Sequence, residues 1–195
     1  MDTDTTVNRE YKDSVFTLLF GEKSNLIELY NAIFGTRYGS DTDIQITTLR
    51  SALFMEQVND ISFVIDGKVV VLIEHQATLN NNMPLRMLLY IARIYEKICD
   101  SENLYRTKRI TIPRPEFIVL YNGKDEAPDM QTMRLSDMFA KYGEENPIEL
   151  ELEVKVYNIN KGRNTEIAQR SATLDGYKDI VARSCRSGFC RGFEE

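Results

Sequence analysis

Residues 58–76 constrain the fold more than any other stretch of the chain. Val58-Asn-Asp-Ile-Ser-Phe-Val-Ile-Asp66 and Lys68-Val-Val-Val-Leu-Ile-Glu-His-Gln76 flank Gly67, and both runs have the composition of strands. Asp66-Gly67 supplies residue types that tolerate the left-handed backbone of a tight hairpin turn. The second run is continuously apolar from Val69 to Ile73, as expected of a strand covered on both faces.

Helical periodicity surrounds this hairpin. Tyr11, Val15, Leu18 and Leu19 recur at helical spacing after Val7 and run up to Phe20-Gly21, after a loose leader at residues 1–6. Ser24 is placed to cap a second helix carrying Leu26, Ile27, Tyr30, Ile33 and Phe34, which Gly35 ends before a loop at 36–43. Beyond the hairpin, Pro84 suits the first position of a further helix. Leu85, Leu88, Leu89, Ala92 and Tyr95 form its broad apolar side, widened by Met87, Tyr90, Ile91, Ile94 and Ile98.

Pro115–Tyr121 predicts a strand stopped by Asn122-Gly123, then a loop over 124–134 and a short helix over 135–142. Ile148, Leu150, Leu152, Val154 and Val156 alternate along one strand face. A last helix is expected from Thr165, using Ile167, Leu174 and Tyr177 or Ile180, while 181–195 has neither period and is expected to form an irregular, frayed or truncated tail. This order predicts one α/β domain over residues 1–180, with two or three layers around a mixed sheet.

Thirty acidic residues against 24 basic ones give a net charge of -6, the wrong sign for a protein that coats nucleic acid. That balance is compatible with an enzyme whose carboxylates hold a cation beside DNA. Neither an export signal nor an apolar run of membrane-spanning length is visible, so Cys99, Cys185 and Cys190 are expected to be cytoplasmic thiols. The Cys-x4-Cys pair lacks a second ligand cluster for zinc.

The chemistry concentrates at the open end of the hairpin. Glu74 and Gln76, two apart, leave the same face of their strand. With 65 opposite 68 across the turn, Asp60 pairs with Ile73, immediately beside Glu74. Regular alternation sends 60 and 74 to opposite faces, so their union at one cation requires a splayed or bulged strand end. Two carboxylates and a backbone carbonyl can hold Mg²⁺ in oxygen ligation, and such an ion can activate water against a phosphodiester. Gln76 can orient water or touch phosphate by hydrogen bonding, but it carries no positive charge. The same residues equally suit a solvated strand end, with Asp60 capping one strand and Glu74 and Gln76 beyond the apolar centre of the other. His75 points away from Glu74 and suits packing or a supporting hydrogen bond better than base catalysis. Arg86 and Arg93 can share a helix face near Tyr90 and meet phosphate, or simply form ion pairs. Lys12 and the loop residues Arg106, Lys108 and Arg109 are further basic candidates.

Several segments together resemble the Rpn family of recombination-promoting nucleases, within the PD-(D/E)xK superfamily. They are Asn59-Asp60-Ile-Ser-Phe, Val71-Leu-Ile-Glu-His-Gln76, Met83-Pro-Leu-Arg86 and Leu89-Tyr90-Ile-Ala-Arg93-Ile-Tyr95. Tyr11-Lys-Asp-Ser-Val-Phe16, Phe117-Ile-Val-Leu-Tyr-Asn-Gly123 and Leu174-Asp-Gly-Tyr177 extend the resemblance over roughly residues 8–180. It implies a restriction-endonuclease-like mixed β-sheet core flanked by helices. It also implies a DNA endonuclease linked to recombination or mobile elements, with Asp60, Glu74 and the His75 carbonyl on Mg²⁺ (or Mn²⁺) and Gln76 in the usual lysine position. Lys12, Arg86, Tyr90 and Arg93 are the expected substrate contacts, and a homodimer would suit two-strand cutting. A catalytically inactive module that binds DNA or a protein is the alternative.

Overall fold

Asp66 and Gly67 both adopt the left-handed backbone that the hairpin needs, with φ of 47° and 70°. They do so in a computed structural model that describes residues 15–46, 60–74, 79–99, 101–140 and 148–186. Residues 15–20 are helical (α1) and are followed by α2 (Lys23–Phe34), β1 (Ile44–Ile46), β2 (Asp60–Ile65) and β3 (Lys68–Glu74). Then come α3 (Met83–Ile98), the one-turn α4 (Ser101–Leu104), β4 (Arg114–Tyr121), β5 (Met130–Arg134), β6 (Glu153–Asn158), α5 (Thr165–Arg170) and α6 (Ala172–Arg186).

The six strands form one mixed sheet in the order β1-β2-β3-β4-β6-β5. β3, β4 and β6 run parallel, while β1 and β3 are antiparallel to β2, and β5 is antiparallel to β6. β3 is hydrogen-bonded on both sides, which accounts for its unbroken apolar run. Each face of the sheet has its own core. Phe16, Phe20, Leu26, Tyr30, Leu174 and Tyr177 from α1, α2 and α6 cover Ile61, Phe63, Ile65, Ile118 and Leu120. On the other face Met83, Met87, Tyr90, Ile91 and Ile94 of α3 cover Phe117, Val119, Tyr121, Val154 and Val156. The architecture is therefore a three-layer α/β domain with helices on both sides of the sheet.

Several local expectations are corrected. α2 starts at Lys23 with Glu22 at its N-cap and no side-chain cap, so Ser24 lies inside the helix. In α1 the buried pair is Phe16 and Phe20, while Leu18 is exposed. α3 buries Met83, Met87, Tyr90, Ile91 and Ile94 and leaves Leu85 and Leu89 at 43% and 55% exposure. A helix apolar around most of its girth is phased by the sheet it meets, not by its own composition. The expected loop at 124–134 contains β5, an edge strand with alternating exposure. The helix expected over 135–142 is a single 3-10 turn, Ser136–Met138, in its described part. β6 begins only at Glu153, where its pairing with Arg134 begins, so Ile148 and Leu150 lie outside the sheet and exposed. α6 continues to Arg186 and buries Val181, so the boundary expected at residue 180 falls inside a helix.

The last helical segment is broken at Ser171. Its hydroxyl accepts from the Leu174 amide at 3.1 Å and donates to Glu28 Oε1 at 2.8 Å, and Glu28 also accepts from the Thr173 amide at 3.0 Å. Ser171 thus caps α6, and a carboxylate from α2 satisfies another free amide of its first turn. Ser171→Ala is expected to cost about 1 kcal/mol, a fall of about 2–4 °C in thermal midpoint by calorimetry.

At the turn end of the hairpin, Tyr30 donates to Glu116 (2.9 Å) and Tyr38 to Asp66 (2.6 Å), while Lys68 donates to Tyr30 (3.1 Å). Burial, with help from Glu116 and against the pull of Lys68, pushes the Tyr30 phenol from 10.0 to about 12. The unfolded phenol ionises first, so the folded state holds more protons between these values and stability falls as pH rises through them. Thermal midpoints measured from pH 10 to 12 should therefore drop less steeply in Tyr30→Phe than in the parent protein. Among the described residues, no helix is long and apolar enough to cross a membrane.

Candidate active site

The hairpin register is regular along its whole described length: Ile65 lies opposite Lys68 and Asp60 opposite Ile73. Asp60 is the first residue of β2 and Glu74 the last of β3. Their Cα atoms are thereby held on the order of 6 Å apart, one residue off direct opposition. For these two acids only the backbone is described.

No bulge interrupts the ladder between 60 and 73. By alternation position 60 keeps phase with Val64, which packs toward α3. Position 74 is the register partner of Leu120, which belongs to the opposite core. The two positions are thus in opposite phase while the ladder lasts, and both stand where it ends. His75, Gln76 and Lys12 lie outside the described residues.

α3 returns antiparallel along β3 and β4, and the Tyr95 hydroxyl donates to the Pro113 carbonyl at 2.6 Å to fix its far end. Arg86 is in the first turn, at the Glu74 end, half-buried, with its amide bonded to Asn82 and Nη1 3.5 Å from Met83 Sδ. Arg93 is also half-buried but lies about 10 Å further along the helix, toward its far end. Tyr90 is 6% exposed and packs among Met83, Met87 and Ile94. Of the described basic and aromatic candidates, Arg86 alone combines nearness to the acids with partial exposure.

The loop bearing Arg106, Lys108 and Arg109 is at the other end. It precedes Arg114, whose register partner is Lys68, and β3 separates it from Glu74 by about 20 Å. A shallow pocket of about 520 Å³ lies beside those three residues with Ile98 and Cys99. Its position separates it from the candidate acids.

The carboxyl ends of β4 and β6 carry polar residues that sequence reasoning passed over. Asn158 Nδ2 donates to the Ala127 carbonyl (2.8 Å), Asn160 Nδ2 to Gly123 (2.9 Å), and Asn164 Nδ2 to Asn158 (2.9 Å). Lys178, buried on α6, donates to the Arg163 carbonyl at 2.6 Å, and burial lowers its pKa. Asn122 was read only as a strand stop; it is a buried polar side chain at the end of β4. The recurrence of asparagine just after two apolar runs was the available signal. Among the described residues no cluster of three or more His, Cys, Asp or Glu side chains is gathered as for a metal.

The run α2-β1-β2-β3-α3-β4 around a mixed sheet, with two acids at the open end of its central hairpin, is a restriction-endonuclease-like core. Residues 13–185 match the family described as "Putative transposase, YhgA-like", and the chain belongs to that family, within the Rpn and PD-(D/E)xK group. It is a nuclease-like protein of a mobile-element-related family. No curated protein and no solved structure matches the chain.

Proposed function

We propose that the chain is a DNA endonuclease that hydrolyses phosphodiester bonds with Mg²⁺, or Mn²⁺ in its place, in recombination or mobile-element processing. The observation that carries this reading is the hairpin register, which sets Asp60 opposite Ile73 and hence beside Glu74. That pairing stands at the carboxyl end of parallel strands, where open α/β sheets bind ligands.

The donor set suits a hard divalent ion, since both acids and the His75 carbonyl offer oxygen. When bound, the ion would supply a water of lowered pKa and charge neutralisation at the phosphate. Release of the strands at the ladder's end gives Asp60 and Glu74 the freedom to converge that regular alternation denies. Gln76 would orient the attacking water by hydrogen bonding, leaving the proton to another acceptor. Arg86, at the start of α3, supplies positive charge for the substrate phosphate. Two copies would be needed to cut both strands at once.

Gln76 in place of the usual lysine favours a second reading, an inactive module that binds DNA without turnover. A supercoiled plasmid separates the two. Nicking with Mg²⁺ or Mn²⁺ that stops on chelation supports the enzyme, and binding without nicking under every metal condition supports the module.

A further inference from the structure

Asn122 follows β4 directly, two residues beyond Leu120, the register partner of Glu74. It is 8% exposed, and neither Oδ1 nor Nδ2 of its carboxamide has a hydrogen-bond partner in the protein. Its surroundings are tied down on both sides. The Ile159 amide donates to the Tyr121 carbonyl (2.7 Å), the Tyr121 hydroxyl to the Asp125 carbonyl (3.0 Å), and Asn160 Nδ2 to the Gly123 carbonyl (2.9 Å). The position of Asn122 is therefore set by its neighbours, while its own polar atoms contribute nothing to holding the fold.

A buried amide without partners is destabilising, and in native proteins such a group calls for an explanation. The other described side chain of this kind is Tyr177, whose hydroxyl lacks a partner. There the ring compensates, packing against Phe16 and Phe20 with centroids 5.8 and 6.2 Å away. Asn122 brings no such apolar surface, so leucine would serve the fold better at this position.

We propose that Asn122 is a substrate-binding residue of the active site. Its Nδ2 donates to a non-bridging phosphate oxygen of DNA beside Glu74, and its Oδ1 accepts from water there. A fixed neutral donor aimed at phosphate favours the charge that develops on those oxygens during hydrolysis. The inference rests on the nuclease reading and adds to it a residue that binds the phosphate.

The test uses full-length Asn122→Leu and the near-isosteric Asn122→Asp. Three readouts apply: the thermal midpoint without metal, the affinity for a fluorescein-labelled DNA duplex in chelator, and plasmid nicking with Mg²⁺. Asn122→Leu should melt about 2–4 °C higher, as expected when an unsatisfied polar group is removed. It should also bind the duplex roughly threefold or more weakly and lose on the order of 10- to 100-fold in kcat/KM. Asn122→Asp, which places negative charge against phosphate, should show the same losses in binding and nicking. If Asn122→Leu melts lower, Asn122→Asp decides: normal binding and nicking overturn the inference, and losses in both support it. Variants that bind and nick within twofold of the parent overturn it and leave the nuclease reading intact. A parent protein that never nicks sinks both.

Discussion

Glu74→Ala and Asp60→Ala should each lower metal-dependent plasmid nicking by on the order of a thousandfold, equivalent to about 4 kcal/mol of transition-state stabilisation. Each acid stands at a strand terminus beyond or at the last ladder pair. Truncation there should leave the fold intact, which circular dichroism and the thermal midpoint would check. The conservative Asp60→Asn and Glu74→Gln variants should be nearly as impaired, because a neutral amide binds a divalent cation far more weakly than a carboxylate. Full activity in either alanine variant would show that the site lies elsewhere.

The largest effect on stability is expected at Tyr177. Its ring is fully buried and meets Phe16 and Phe20, joining α6 to α1 over the sheet. Tyr177→Ala should cost about 3–5 kcal/mol, lowering the thermal midpoint by on the order of 10 °C. Tyr177→Phe should do the reverse on a smaller scale, raising the midpoint by about 2 °C, because it removes the unpartnered hydroxyl and keeps the ring. A Phe variant as damaged as the Ala variant would show that the hydroxyl, not the ring, holds this contact.

Much of the fold was legible because its strongest signals are local. Asp66-Gly67 fixes a two-residue turn, and a fixed turn fixes every pair behind it, so the opposition of Asp60 and Ile73 could be counted before it was seen. The Gly35 stop is similar: its φ of 66° is a conformation that glycine adopts without strain. Edge strands are less legible because they have one neighbour and need no apolar run. β1 has three residues, and β5 reads Met-Gln-Thr-Met-Arg, a string that becomes a strand only by pairing with β6. The alternation of Ile148 and Leu150 misled for the complementary reason: pattern without a partner makes no sheet. The candidate acids were legible through the hairpin and the family resemblance. Asn122 was not, because the same Asn-Gly that ends a strand also describes a residue kept at a site, and only burial without partners separates the two.

The hairpin has one more consequence, for how its length can change. Its two arms, Asp60–Ile65 and Lys68–Ile73, match residue for residue from the turn outward. An extra residue in one arm alone would either bulge or shift its outer end against the other by one step. Insertions and deletions should therefore be tolerated only as matched changes in both arms, whereas the polar stretch between β4 and β5 is free to vary. Counted from Gly67, the spacing of the two acids is a measured interval that the chain must conserve in number even where the residues between them change.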